Sequence, residues 1–162
     1  MKMNNLEYYN IEFTPAIGSF YLNTLFSEFD DNYIPIYKAF LIFPLFSNYD
    51  FLEYILKRNR TFDFYKLIED YTHEQKTNDF WLDYSIKYLS TRNCCFESIY
   101  FGLMINAFEL TELGIRNKRI LSKEVPILLN NRYDAIKKIG KVTKDLNIGE
   151  LFRILKVGEV SD

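Results

Sequence analysis

A chain of 162 residues and 19.4 kDa is about the size of one domain, and 48% apolar with 26% charged residues excludes a largely disordered or collagen-like protein. Fifteen Phe and 13 Tyr stand beside one Trp, 6 Gly and 4 Pro, so few breakers and many bulky side chains favour packed helices over a sandwich of short strands. The net charge of −2 conceals an asymmetry: residues 1–80 hold 7 cations against 12 anions, whereas 114–157 hold 11 against 4, which marks the C-terminal third as a candidate contact surface.

Thr14-Pro15 predicts a helix start, because Thr can cap free amides and Pro tolerates the first helical position. Ile17, Phe20, Tyr21 and Leu25 recur at helical spacing, followed by Phe29, giving a helix over about 15–29. The apolar stretch from Ile34 to Phe46 contains Pro35, Lys38 and Pro44 in 13 residues, against about 20 apolar residues for a spanning helix. It is expected to be a buried segment whose periodicity fits helix and strand alike. Tyr49 or Asp50 opens a short helix through Leu56, and Phe62 to Tyr71 reads as another with Phe64, Leu67, Ile68 and Tyr71 on one side.

Asn78 or Asp79 caps a third helix, in which Leu82, Ile86 and Leu89 form one stripe while Trp81, Tyr84 and Tyr88 form an adjacent one. Apolar contact on two faces implies a central or interface helix. From Cys95 to Ala107, Phe96, Ile99, Tyr100, Leu103 and Met104 again recur at helical spacing. Two β-capable runs, 108–115 and Ile120-Leu121, flank a polar turn at Arg116-Asn-Lys-Arg119. Helices followed by a small hairpin is the order of a winged helix-turn-helix. Asn130 or Asn131 then opens a helix through Lys144, and Asn147 with Glu150 is a capping-box-like start for Ile148 to Lys156. The expected fold is mainly α: a compact helical domain over 1–162 with a small β-hairpin. Its acidic helical part lies at about 1–80, and its winged-helix-like, basic helical part at about 81–157.

Catalytic motifs are missing: there is no GxxxxGK[ST] loop, no GxGxxG after a strand and no GxSxG elbow. His73 and Glu69 lie one helical turn apart, which suits a surface ion pair before an acid–base pair. Asp79 and Asp83 are explained by an N-cap and a solvated carboxylate, and the adjacent Cys94 and Cys95 by small core residues that do not bridge each other. One histidine and no CxxC exclude the usual zinc ligand sets, so no metal and no cofactor are expected. The start, MKMNNLEYYNIEF, has no apolar h-region and no small-residue cleavage site, so a cytoplasmic location is expected.

Arg116, Lys118 and Arg119 are expected to crown the hairpin. Lys137, Lys141 and Lys144, with Lys138 beside them, form a positive stripe opposite Ile136, Ile139 and Gly140. Such a surface suits an acidic protein patch or the phosphates of nucleic acid; a solvated helix face is the plain alternative. Between Cys94 and Ala107 the only charge is Glu97, so a winged-helix element here fits protein contacts better than base readout.

Three segments carry a family resemblance. Asn10-Ile-Glu-Phe-Thr14-Pro15-Ala16-Ile17-Gly18-Ser19 resembles the "NPA" helix start of the middle component of three-component ABC systems, with Thr14 where that family usually has Asn. Tyr37-Lys-Ala-Phe-Leu-Ile-Phe-Pro44-Leu-Phe46 resembles its "FLxLPL" segment. Ala135-Ile-Lys-Lys-Ile-Gly140-Lys and Ile154-Leu-Lys-Val157 are similar to its closing pattern, with Lys141-Val142 in place of Arg-Trp and Lys156 in place of a glycine. The resemblance spans about residues 8–157. It implies a non-enzymatic adaptor between an ABC-type ATPase and an effector-coupled subunit in a prokaryotic antiphage or conflict system. It further implies a hetero-oligomer off the membrane, with nucleic acid reached through the assembly. A winged-helix DNA-binding regulator is the alternative reading, and a small hydrolase using His73 the third.

Overall fold

The computed structural model describes residues 14–30, 33–58, 63–75, 80–121 and 130–157. In chain order these form α1 (Pro15–Phe26), β1 (Tyr33–Ile34), α2 (Ile36–Ile42), a 3-10 turn (Phe43–Ser47), α3 (Tyr49–Lys57), α4 (Phe64–Gln75), α5 (Phe80–Met104), β2 (Phe108–Thr111), β3 (Gly114–Asn117), α6 (Asn130–Thr143) and α7 (Ile148–Leu155). The chain is mainly α with one small antiparallel sheet in the order β1-β3-β2.

Local hydrogen bonds set most helix starts. The Thr14 hydroxyl accepts from the Ile17 amide at 3.4 Å with Pro15 in the first turn, Asn48 caps α3 by accepting from the Phe51 amide at 3.1 Å, and Asp63 accepts from Lys66 N–H ahead of α4 at 3.1 Å. Asn147 and Glu150 form a reciprocal capping box on α7. The cap proposed at Asn78 or Asp79 lies outside the described residues.

Four expectations need correction. First, α1 stops at Phe26; the Ser27 hydroxyl donates to the Thr24 carbonyl at 2.7 Å, and Phe29 reaches the core from a turn. Second, the ambiguous apolar stretch splits: Tyr33–Ile34 pairs with β3, Pro35 leads into α2, and Pro44 falls in the 3-10 turn. Apart from Tyr37, which is exposed, the stretch is buried or half-buried throughout, and that removes the periodicity that would separate helix from strand. Third, the helices expected on either side of residues 90–94 are one 25-residue helix, within which Thr91 and Ser98 donate to the carbonyls of Lys87 and Cys94 at 2.7 and 2.6 Å. The hairpin therefore follows a single helix over the described residues 80–104, where a turn between two helices is expected from the sequence.

Fourth, the hairpin turns at Glu112-Leu113, not at Arg116–Arg119, and pairs Thr111 with Gly114 and Glu109 with Arg116. Gly114 has φ +147°, and a Cβ there would lie 2.4 Å from the Ile34 carbonyl. Only glycine lets β1 close on the turn.

α1 sits at the centre. It packs against α5, α6 and the hairpin, and a Cβ on Gly18 would come within 2.1 Å of Ser98 Oγ on α5. Around it the abundant aromatics interlock edge-on: Phe51, Tyr71 and Phe80 join α3, α4 and α5 with ring centroids 5.2–5.8 Å apart. The buried Tyr84 hydroxyl donates to the Leu41 carbonyl at 2.7 Å, tying α5 to α2.

Asn23, 1% exposed, is the polar link between α1 and the hairpin. Its amide nitrogen donates to Asn117 Oδ1 at 2.9 Å and to the Arg119 carbonyl at 2.8 Å, while its oxygen accepts from the Leu121 amide at 2.8 Å. Replacing Asn23 by Leu strands all three partners, so a loss of about 3 kcal/mol or more is expected from urea unfolding; a loss below about 1 kcal/mol would refute this role.

Lys38 is also buried, with its ammonium 2.7 Å from the Lys144 carbonyl at the end of α6 and 4.7 Å from the centre of the Phe29 ring. Burial lowers its pKa to about 8, partly countered by the charges of Asp145 and Glu150. Because the folded value lies below the ordinary 10.5, the unfolded chain binds more protons between these limits, and stability gains as pH rises through that window. Lys38→Met is expected to abolish this gain. Thermal melts of both proteins between about pH 7.5 and 10 test it, and a constant difference between them excludes it.

Candidate interaction surfaces

Lys137 and Lys141 lie on one side of α6 and Lys144 just past its end, beside the face that buries Ile136, Ile139 and Gly140. Lys141 is exposed, Lys137 lies 4.7 Å from the Tyr133 ring centre, and Lys144 is 3.9 Å from Asp30. Lys138 is turned inward: its ammonium donates to the carbonyls of Ile55, Leu56 and Arg58, at 3.2, 3.1 and 2.8 Å, where α3 ends. A cation at the negative end of a helix is stabilising, so Lys138 fixes α6 on α3.

Arg116 leaves the turn region for β3, where it pairs with Glu109 across the strand, Nε to Oε1 at 2.6 Å. Lys118 donates to Asn106 Oδ1 at 2.7 Å, and Arg119, exposed, offers its carbonyl to Asn23. The two cation groups approach α1 from different sides. Tyr21, which accepts from Arg132 of α6 at 3.3 Å, and Asn23, which holds the hairpin, are two residues apart and so project about 160° apart around the helix.

The candidate catalytic side chains do not converge. His73 is exposed on α4, while Glu69 faces the Tyr65 hydroxyl and raises its pKa. Burial pushes both the Cys94 and Cys95 thiols up, opposite to the shift that favours a thiolate. Asp83 accepts from Lys87 at 2.6 Å and from Asn48 at 3.2 Å; Asp79 lies outside the described residues. Among the described residues no three His, Cys, Asp or Glu side chains gather into a metal-binding group. A cleft of about 540 Å³ between α4 and α7 is lined by Asp63, Tyr65, Leu146, Glu150, Arg153 and Lys156, two anions balanced by two cations.

Apolar exposure is concentrated in two places. On the hairpin and its exit, Leu110, Leu113 and Ile120 are 61%, 74% and 54% exposed, interleaved with Arg116, Lys118 and Arg119. Sequence reasoning missed these three because alternation identifies a strand's two faces without saying which is covered. On α5, Leu82, Ile86, Leu89, Phe96, Tyr100 and Met104 are all exposed, while Tyr84, Thr91, Cys95, Ser98, Ile99 and Gly102 face the core. The two-faced pattern was legible in the sequence; which face meets the core was not.

The motif residues shape the backbone. Thr14 and Pro15 start α1, with Ala16 half-buried beside them. Pro44 is buried in the 3-10 turn. A Cβ on Gly140 would lie 2.8 Å from Glu28 Cβ, so its absence lets α6 approach the end of α1. No single helix among the described residues is long and apolar enough to cross a membrane. No curated protein and no solved structure matches the chain. A family model described as "ABC-three component (ABC-3C) system Middle Component 3" matches residues 3–159, nearly the whole chain and the span over which the sequence resemblance runs. The chain therefore belongs to this family and is a middle component of an ABC-three component system.

Proposed function

We propose that this middle component is a non-enzymatic adaptor that joins the system's ABC-type ATPase to an effector-bearing component in prokaryotic antiphage defence, acting in the cytoplasm. Membership of a multi-component family gives it partners in that system. The observation that carries the adaptor reading is the hairpin: exposed Leu110, Leu113 and Ile120 lie among Arg116, Lys118 and Arg119, and an exposed apolar cluster rimmed by polar residues is the mark of a protein–protein contact. The α6 face, with Lys137, Lys141 and Lys144 on another side of α1, is a second docking surface of purely electrostatic character. Two surfaces reached from different sides suit a subunit held between two others. The cationic face fits an acidic partner patch, and nucleic acid held by the assembly is an alternative occupant of the same charge.

Reversing Lys137 and Lys141 to Glu tests the electrostatic surface. Both side chains lie on the outer side of α6, so the melting temperature is expected to stay nearly unchanged. Affinity for the co-expressed ATPase or effector component is expected to fall about five- to tenfold, with a weaker salt dependence. A variant that folds and assembles as the wild type does would remove the α6 face from the proposal. Replacing Leu113 by Asp applies the same test to the hairpin, and a loss of co-purification on size exclusion is the expected result.

A further inference from the structure

α5 presents seven positions to solvent that form one narrow line. Relative to Asn93, Leu82, Ile86 and Leu89 precede by 11, 7 and 4 residues, and Phe96, Tyr100 and Met104 follow by 3, 7 and 11. At about 100° per residue these positions fall within an arc of roughly 80° and extend for about 33 Å along the helix. An apolar seam of that width and period fits another helix, not a flat surface. The six apolar side chains are 59–73% exposed; at roughly 200 Å² for a large side chain they offer about 750 Å², close to the ~800 Å² each partner contributes to a standard interface. A monomer rarely leaves so large an apolar patch in water.

The order of side chains along the seam points to its occupant. The spacing is nearly the same read in either direction from Asn93, but the two halves differ in chemistry: the N-terminal half is aliphatic, and the C-terminal half is two aromatics and a methionine. We propose that α5 is a self-association face, on which two copies of this chain pack antiparallel about a two-fold axis passing near Asn93. That symmetry lays Leu82, Ile86 and Leu89 of each copy on Met104, Tyr100 and Phe96 of the other. A two-fold contact is made by the same patch on both copies, so the residue near its axis must be compatible with itself. An Asn amide carries both donor and acceptor and meets that condition where a charged residue would repel its copy. One polar Asn in an apolar seam also fixes register. Arg92 and Glu97 lie to either side of the line, at the edges of the seam, leaving its centre without charge. A parallel pairing would instead stack Leu on Leu and Tyr on Tyr and would place no axis at Asn93.

This inference stands apart from the adaptor reading and is tested on the purified full chain without other components. Light scattering on size exclusion is expected to give twice the 19.4 kDa of the chain. Replacing Leu89 and Phe96 by Glu is expected to weaken self-association about a hundredfold with the helical circular dichroism retained. If that variant misfolds, Leu89→Ser with Phe96→Ser removes apolar area without adding charge and carries the same test. In a Cys94→Ala background, Asn93→Cys is expected to oxidise readily to a covalent dimer. Leu82→Cys is expected to cross-link only when mixed with Met104→Cys. A wild-type monomer at about 100 µM overturns the proposal, including the case in which α5 is buried only after another component is added. A dimer unaffected by the α5 substitutions overturns it, and so does Leu82→Cys cross-linking to itself as readily as Asn93→Cys does.

Discussion

The enclosure of α1 is the constraint on which the rest of the fold depends. Eight of its twelve residues are buried, and α5, α6 and the hairpin all pack on it, so a polar group it carries inward is costly unless it finds a partner inside the protein; the buried Ser19 hydroxyl has none among the described residues. Asn23 finds its partners on the hairpin side. A carboxamide has two donors and an acceptor with two lone pairs, and here one side chain binds the Asn117 side chain and the backbone of Arg119 and Leu121. The chain leaving β3 is thereby held on α1 without a strand or helix to hold it. Phe26 against Phe108, with ring centres 5.1 Å apart, adds apolar contact beside that polar link. The positions of Leu113 and Lys118 on the surface follow from an interaction buried well beneath them.

What the sequence made legible follows the range of the interaction responsible. Thr14-Pro15 and Asn147 with Glu150 mark helix starts through hydrogen bonds spanning three residues, and those starts are where the sequence places them; α3 opens at Tyr49, one of the two starts expected, with Asn48 as the cap that sequence reasoning missed. The period of Phe64, Leu67, Ile68 and Tyr71 likewise identifies a buried helical face. The errors occur where distant contacts decide. The turn at Glu112-Leu113 depends on Gly114 admitting the Ile34 carbonyl, some eighty residues away in the chain. α5 runs on through Ser90, Arg92 and Asn93, exposed polar residues that interrupt the apolar period from which a helix is read. Of the cations, their helical period was readable, but not that Lys138 serves the end of α3 or that Arg116 faces Glu109. Asn23 gave no warning beyond being polar between Leu22 and Thr24.

α5 carries large apolar side chains on both faces, with Phe80, Tyr84 and Ile99 buried in the core. Its core face carries Thr91, Cys95, Ser98 and Gly102 along its middle and end, and its outer face carries Leu82, Ile86, Leu89, Phe96, Tyr100 and Met104. The small inner residues follow from the close approach of α1, where Gly18 meets Ser98. The six exposed apolar side chains keep apolar free energy, about 25 cal/mol for each Å² removed from water, for an external contact, while Phe80, Tyr84 and Ile99 give theirs to the core. Stability of the fold and capacity for association are thus divided between opposite faces of one helix.

The family pattern is concentrated on backbone geometry, and Lys156 shows this most directly. It stands where the family pattern has glycine, and it adopts φ +52° at the left-handed position that closes α7, with the Val157 amide returning to the Phe152 carbonyl at 3.2 Å. Glycine is favoured there because it has no Cβ to strain. In this chain the lysine keeps the same geometry, and its ammonium lies 4.0 Å from the centre of the Trp81 ring, whose indole nitrogen donates to the Ile154 carbonyl at 3.0 Å. A cation–π contact of about 0.5–1 kcal/mol offsets much of the left-handed strain, of order 1–2 kcal/mol. Thr14, Pro15, Pro44 and Gly140 are, in the same way, caps, turns and close approaches. Residues of that kind specify how the elements are held. Under the proposed function, discrimination between the system's components falls to the hairpin edge around Leu113 and the lysines of α6, while the outer face of α5 is kept for a second copy of the chain.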